Sequence, residues 1–165
     1  FQVNRDGREQ IVYIYSRGDI MGYRPLICGE PNPVSAMSLD ETSYYFIPKE
    51  DFLRILFSSP EFTRALLISL SYEFSVWANN ITVFARQPVK SRVALGLLIL
   101  EKKFRREGAG EINLSREDFA SYVGTVKETL VRVLQEFKKK KIIVSSGRRI
   151  KVLKPAALEE IADFF

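Results

Sequence analysis

The first part of the chain alternates short apolar stretches with turn residues, which is the pattern of β-strands. Phe1–Val3 and Gln10–Tyr15 are two such stretches, and the second is rich in β-branched and aromatic residues. Residues 22–33 hold two glycines and three prolines, so they predict a loop with at most one helical turn. Val34–Met37 and Ser43–Ile47 complete a predicted set of four strands.

The period changes after Pro48, where apolar residues begin to recur at helical spacing. Lys49–Phe57 predicts a short helix, and Ser59-Pro60 is a typical start for a second one, uninterrupted by Pro or Gly to Gln87. Its apolar stripe has spacings of 4, 4, 3, 4 and 3 and consists of Leu66, Leu70, Phe74, Trp77, Ile81 and Phe84. The stripe could pack on the chain's own sheet or form a dimer seam. Its length, roughly seven turns at about 3.6 residues per turn, favours the seam.

Two capped helices follow a further helix predicted over Lys90–Arg105. Ser115 has an acid three residues later and begins the first short helix, which Gly124 ends. Thr125, with Glu128 three residues on, predicts the start of the second. That second helix buries one face, made of Leu130, Val133, Leu134 and Phe137. Two short helices joined through a Gly turn are a helix-turn-helix.

A basic β-hairpin, or wing, is predicted after the second helix. The lysine run at 138–141 leads into Ile142–Val144, and Ile150–Leu153 returns after a tip that carries Arg148 and Arg149. A helix-turn-helix with a wing is an arrangement that binds DNA, with the second helix in the major groove. Four lysines alone would more often be a solvated surface. The prediction of DNA binding therefore depends on three features together: the spacing of the two helices, the polar outer face of the second helix and the basic wing.

Charge divides unevenly along the chain, whose formal net charge is +5. Residues 1–87 hold 8 basic and 10 acidic side chains, and residues 88–165 hold 17 basic and 10 acidic ones. A basic second half predicts a polyanionic partner. An alternative stays open at this point, in which the chain is a ligand-binding or protein-interaction module whose winged helix contacts protein.

Missing residue types exclude several classes of chemistry. The chain has no His and one cysteine, Cys28. This rules out a His general base, a His metal ligand and a four-Cys cluster or zinc site, so we expect no metal and no cofactor. We identify no nucleophile–base pair or phosphate-binding loop, and expect no enzyme. No apolar run approaches the ~20 residues of a membrane helix, and we expect a cytoplasmic protein.

Three motifs carry a resemblance to a known family. Leu114–Ala120 with Val123-Gly124, then Lys127–Leu134, resemble the DNA-binding signature of the Crp/Fnr family of bacterial transcription regulators. Upstream, Val89–Ala94 resembles the usual entry to that family's DNA-binding domain. The resemblance spans almost the whole chain and implies an α+β fold: a partial N-terminal β-roll like a cyclic-nucleotide-binding domain, a long dimerisation helix and a C-terminal winged helix-turn-helix. The implied domains are 1–59, 60–87 and 88–165. Relative to the family, we expect the first strands of the roll to be absent from this sequence.

The resemblance also implies which residues contact DNA. Lys127, Glu128 and Arg132 fall where the family contacts bases, with Lys replacing the usual Arg at the first position. Five further residues are expected to contact phosphates or position the backbone: Ser115, Thr125, Thr129, Arg148 and Arg149. Double-stranded DNA with a near-palindromic site and a second copy of the chain are the expected partners. RNA polymerase stays open as a further one.

The sensor half departs from the family's cyclic-nucleotide cassette. Gly22 matches it, but Tyr23 replaces the Glu that holds the ribose, and Asn32 replaces the Arg that neutralises the cyclic phosphate. Arg24 and Ser35 complete the predicted effector pocket. A buried phosphate without its cation is costly, so we do not expect cyclic AMP and leave the small-molecule effector open. The expected switch is a reorientation about a hinge at residues 86–90.

Overall fold

The computed structural model describes residues 1–5, 7, 9–106 and 108–162 of the 165-residue chain, with side chains for all of these except residues 79–86 and 106. The first part holds few regular elements. Strands β1 (Gln2–Val3) and β2 (Glu9–Gln10) pair antiparallel, with Gln2 opposite Gln10. A short helix α1 (Tyr23–Cys28) lies between Gly22 and Gly29, both with positive φ.

Three of the predicted strand regions form no β-ladder in the structure. Residues 11–15, 34–37 and 43–47 carry no strand assignment in the structure. Ser35 exchanges two hydrogen bonds with Phe1, at 2.7 and 2.9 Å, but the pairing does not continue. A strand needs the N–H and C=O groups of a neighbour, and within the described residues no partner strand runs beside these segments. The segment 22–33 is also more helical than predicted, because α1 covers six residues.

Two helices connect the first part of the chain to the second. Helix α2 (Lys49–Ser58) packs on α3 (Pro60–Arg86), and the Ser59 hydroxyl accepts a hydrogen bond from the backbone N–H of Phe62 at 3.2 Å. A small core forms where α1, α2 and α3 meet, from Tyr23, Phe52 and Leu66. Among the described residues, no helix is both long and apolar enough to cross a membrane.

The second part is a winged helix built on a three-stranded sheet. Helix α4 (Val89–Arg106) is followed by β3 (Ile112–Asn113), α5 (Arg116–Val123) and α6 (Lys127–Lys139). Strands β4 (Ile143–Ser146) and β5 (Arg149–Val152) form the wing, and the sheet order is β3-β5-β4. A last helix, α7 (Pro155–Ala162), packs on α4.

Most of the buried apolar side chains belong to this second part. The fully buried ones include Leu97, Phe119, Leu130, Phe137 and Ile150, so α4, α5, α6 and the sheet share one core. Burial of this extent stabilises the domain by roughly 25 cal/mol per Å² of apolar surface removed from water. The core fixes α5 and α6 against each other, and their outer faces are left to solvent.

Candidate nucleic-acid interface

The helix-turn-helix begins at a capped helix end. The Ser115 Oγ accepts a hydrogen bond from the Asp118 backbone N–H at 3.0 Å and donates one to the Asp118 carboxylate at 2.5 Å. Its hydroxyl proton is therefore used inside the protein, which argues against the predicted phosphate contact through donation by Ser115. Gly124 ends α5 with φ +66°, a left-handed conformation that glycine adopts without steric cost.

The predicted cap at Thr125 is wrong. Helix α6 begins at Lys127 with Val126 at the N-cap position, and no side chain caps it. The Thr125 backbone N–H donates to the Ala120 carbonyl at 2.9 Å, so Thr125 completes the end of α5. Thr125 is half-buried in the turn between the helices.

One outward face of α6 collects the predicted base-contacting residues. Lys127, Glu128 and Arg132 are exposed within its first two turns, and Thr129 beside them is half-buried. The opposite face of the helix is buried in the core, through Leu130, Val133, Leu134 and Phe137. Since the buried face cannot turn outward without exposing the core, the polar face is fixed in its orientation.

Lys127 forms an ion pair that the sequence did not predict. Its Nζ donates to Oε1 of Glu117 on α5. The hydrogen bond holds the pKa of the Glu117 carboxyl below its usual range and raises the pKa of Lys127. Both groups are thus charged at neutral pH. Glu117 and Lys127 are ten residues apart, so the pair could not be predicted before the turn between the helices was known.

A groove of about 540 Å³ runs between the start of α4 and the outer side of α6. Its lining includes two residues predicted to meet DNA, Thr129 and Arg132. Across it, Lys90 Nζ lies 2.5 Å from Oε1 of Glu136, and Lys140 Nζ lies 3.4 Å from the same oxygen. The hydrogen bond from Lys90 is the largest cause of a lowered pKa at Glu136. The groove therefore presents both charges, with its cations partly neutralised.

Arg92 attaches α4 to the turn between α5 and α6. Its Nη1 donates to the carbonyl of Val123 at 3.0 Å and to that of Gly124 at 2.8 Å. Burial lowers the pKa of this guanidinium. The two carbonyls lie where α5 ends and would otherwise lack intrahelical donors. Arg92 thus positions the helix-turn-helix, a role that sequence reasoning missed.

The wing places its cations at a tight turn. Gly147 and Arg148 connect β4 to β5, and Gly147 has φ +53°. Arg148 and Arg149, which the sequence predicts to contact phosphates, are both exposed. The Nη2 of Arg148 also donates to the Leu39 carbonyl at 3.1 Å, so this cation is shared with the first part of the chain.

Other contacts join the first part of the chain to the helix-turn-helix. Gln10 Nε2 donates to the Ser121 carbonyl at 2.5 Å, and the Ile11 backbone N–H donates to the same carbonyl at 3.3 Å. Lys103 on α4 lies 3.4 Å from the Asp19 carboxylate. The apolar side chains of Ile11, Ile14 and Leu39 pack against the core of the second part. The two parts therefore share a mixed polar and apolar interface.

The residues predicted for an effector pocket differ in their exposure to solvent. Four of them are exposed: Gly22, Arg24, Asn32 and Ser35. Tyr23 is buried in the small core with Phe52 and Leu66. Asn32 Oδ1 accepts a hydrogen bond from the Val34 backbone N–H at 3.4 Å. The free Cys28 at the end of α1 is exposed.

The predicted dimer seam is partly altered by the structure. Leu66 is 5% exposed because it packs into the small core, so it is not available to a second chain. Leu67, one residue on, is 57% exposed. Three members of the predicted stripe remain at the surface of α3, namely Leu70, Phe74 and Trp77. Ile81 and Phe84, together with the side chain of Arg86 in the predicted hinge, lie outside the described side chains.

Possible metal ligands do not cluster in the part of the chain that the structure describes. No group of three or more His, Cys, Asp or Glu side chains is placed to hold an ion there. The charged residues of the interface instead form pairs with one another or face solvent.

Two family models match the chain, one in each half. The Crp-like helix-turn-helix domain matches residues 91–161, and the cyclic nucleotide-binding domain matches residues 1–59. The transcriptional activator protein Anr of Pseudomonas protegens is 26% identical over 98% of this chain and 68% of its own length. The fumarate and nitrate reduction regulatory protein of Vibrio cholerae is 26% identical over 98% of this chain and 66% of its length. The chain thus spans about two thirds of these relatives.

Solved structures have the same fold. FixK2 from Bradyrhizobium japonicum superposes with a TM-score of 0.62 at 24% identity, over 70% of this chain and 59% of that one. The c-di-GMP responsive global regulator CLP of Xanthomonas campestris superposes with a TM-score of 0.66 at 18% identity, over 92% of this chain and 77% of that one. At such identities the likeness shows the fold alone.

Proposed function

Since the chain belongs to the Crp/Fnr family of bacterial transcription regulators, we propose that it binds double-stranded DNA as a homodimer and so regulates transcription in the cytoplasm. One observation carries the proposal. The exposed face of α6 presents Glu128 and Arg132, while its opposite face is buried in the core. This is the presentation that a helix entering the major groove requires.

Each side chain on this face suits a particular acceptor or donor. Arg132 has a planar guanidinium that can donate two hydrogen bonds to O6 and N7 of a guanine. Glu128 can accept from the amino group of a cytosine, and Lys127 can donate to a base as a point charge. Thr129 and the two wing arginines, Arg148 and Arg149, are proposed to contact phosphates, which would set position and not sequence.

The exposed stripe of α3 supports a dimer. Leu67, Leu70, Phe74 and Trp77 follow one another at spacings of 3, 4 and 3, which is the heptad spacing of a two-helix seam. Phe74 is 72% exposed in the single chain, and a partner helix would remove such a side chain from water. A two-fold dimer would place its recognition helices about 34 Å apart and bind a near-palindromic site.

The effector of the first domain is proposed to be a compound other than cyclic AMP. Asn32 is neutral and exposed, so it would not balance a buried cyclic phosphate. A signal in the first domain has a route to the second through the contacts of Gln10, Leu39 and Asp19 described above. We propose that it acts by reorienting the second domain about residues 86–90. No surface is assigned to RNA polymerase.

The test replaces Arg132 in the whole protein and measures affinity for a duplex selected from random DNA. Arg132→Ala is expected to weaken binding by about 1–3 kcal/mol and to relax the preference at one base pair per half-site. Arg64→Ala, at an exposed position of α3, removes the same charge as a control. A winged helix that contacts protein instead would bind DNA weakly, with little salt dependence, and Arg132→Ala would match the control.

A further inference from the structure

The ion pair between Lys127 and Glu117 joins the two helices that would face DNA. Glu117 is the second residue of α5 and Lys127 is the first residue of α6. The left-handed turn at Gly124 brings the two side chains together, and both remain at least half exposed. The pair therefore lies on the surface at the start of the recognition helix.

Apolar packing, and not this pair, holds the two helices in place. Phe119, Val123, Leu130 and Leu134 are buried between them and the rest of the core. Exposed ion pairs contribute little to stability, because water screens them and two long side chains must be ordered. The main consequence of the pair is thus its effect on what the Lys127 ammonium can bind.

A lysine ammonium carries three donors on a flexible stem. To donate to a guanine, the Lys127 ammonium must either break its hydrogen bond to the Glu117 carboxylate or divide its N–H groups between the carboxylate and the base. Leaving would place an uncompensated carboxylate at the surface that approaches the phosphates, where like charges repel. The loss of the ion pair and the repulsion of the freed carboxylate together reduce the free energy gained from the base contact.

Arg132 on the same helix differs in this respect. Within the described residues its guanidinium has no ion-pair partner, so it reaches a base without giving up a carboxylate. One recognition helix therefore presents a paired cation at its start and an unpaired one a turn and a half later. The two positions should not discriminate between bases to the same degree.

We propose that Glu117 is a specificity-determining residue: by binding the Lys127 ammonium, it lowers the preference for guanine at the base pair that Lys127 faces. This inference rests on the proposed function, because it concerns the strength of one contact in the DNA complex. Glu117 would thus influence the preferred DNA sequence although it lies on α5 and not on the recognition helix α6.

The test uses the whole protein, the duplex that it selects from random DNA at physiological salt, and the single-base-pair variants of that duplex. Glu117→Gln keeps the shape of the side chain and removes its charge. For each variant duplex, we compare its Kd with the Kd of the selected duplex. At one base pair per half-site we expect Glu117→Gln to raise this ratio about two- to fivefold, the range that exposed ion pairs produce. In a Lys127→Gln background, the same change should leave every ratio unaltered.

Two controls separate this effect from the loss of a negative charge. Glu159→Gln removes an exposed acid from α7, and Glu117→Asp keeps the charge but shortens its reach. Circular dichroism checks that each variant is folded.

A rise in affinity that is equal for all duplexes, or one that persists in the Lys127→Gln background, would overturn the inference. If Arg132→Ala also leaves every ratio unchanged, the proposed function fails as well. If Arg132→Ala alters a ratio and Glu117→Gln does not, only this inference fails.

Discussion

Arg148, at the tip of the wing, lies with its Nη2 3.9 Å from Oδ1 of Asp40 in the first part of the chain. The same guanidinium donates to the Leu39 carbonyl at 3.1 Å, and Asn113 Nδ2 lies 3.2 Å from the Asp40 carboxylate. Leu39 also packs against the core of the winged helix. A wing cation suited to phosphate is thus held by an acid and a carbonyl of the other domain, and DNA would compete with both.

Neutralising this acid should strengthen DNA binding. In Asp40→Asn, the Arg148 guanidinium loses a carboxylate partner and is freer to meet a phosphate. We expect affinity for the selected duplex to rise about two- to fivefold at low salt and less at high salt, as for an exposed pair. Fluorescence anisotropy across a salt series measures it. The control is Glu41→Gln, which removes the same charge one residue along, and an equal gain there would contradict the assignment.

The exposed stripe of α3 predicts the oligomeric state. Phe74→Asp would place a charge in the proposed seam, where a dimer could not solvate it. We expect sedimentation to show monomers, and affinity for a two-half-site duplex to fall on the order of tenfold or more, because the second half-site no longer binds in the same event. Ala65→Asp, on the opposite face of the helix, should remain dimeric. A Phe74→Asp variant that stays dimeric would place the interface elsewhere.

Gly96 lies where α4 packs tightly against the helix-turn-helix. A Cβ added there would lie 2.7 Å from Cγ1 of Val123 and 3.1 Å from Cε2 of Phe119, both buried in the core. We expect Gly96→Ala to lower the free energy of unfolding by about 1–2 kcal/mol, because the overpacking exceeds the gain in helix propensity. Urea denaturation measures it. Gly110→Ala, where an added Cβ meets nothing, is the matched control, and equal effects would contradict the packing described.

Glu73 on α3 predicts a pH dependence of stability. Burial is the largest cause of its raised pKa and Asp19 adds to it, while the Tyr23 hydroxyl and, to a smaller extent, Lys103 oppose it. A carboxyl whose pKa is higher in the folded state contributes stability below its unfolded value, and this contribution is lost as pH rises through the folded value. Glu73→Gln should therefore melt above the unmodified protein near neutral pH, with the difference vanishing in acid. Thermal scans from about pH 4 to pH 7 test this. A difference that is constant with pH would contradict it.

Local signals in the sequence predicted the helical elements well. Helix α2 was expected over Lys49–Phe57 and is found at Lys49–Ser58, and the cap at Ser115 is formed as expected. Proline, glycine and capping residues act within a few residues of themselves, so their effects can be recognised without knowledge of the fold. The hairpin of the wing follows for the same reason, since its turn is set by Gly147 and its neighbours.

Features that depend on distant partners were not predictable in the same way. The segment at 43–47 has the composition of a strand, but in the described structure no neighbour completes its hydrogen bonds. Thr125 has the spacing of a cap, yet its backbone is used to end α5. The pair of Glu117 with Lys127 and the contacts of Arg92 depend on how the helices pack. Helix α7 was missed although Pro155 and Leu158 carry a weak helical signal.

Selection of binding sites from random DNA measures whether α6 recognises a particular DNA sequence. The whole protein and its Arg132→Ala variant are each used to select sites from random duplex DNA at physiological salt. We expect the unmodified protein to enrich a near-palindromic sequence, and the variant to lose the preference at one base pair of each half-site. Absence of any enriched sequence, or the same sequence with the same preferences from both proteins, would contradict it.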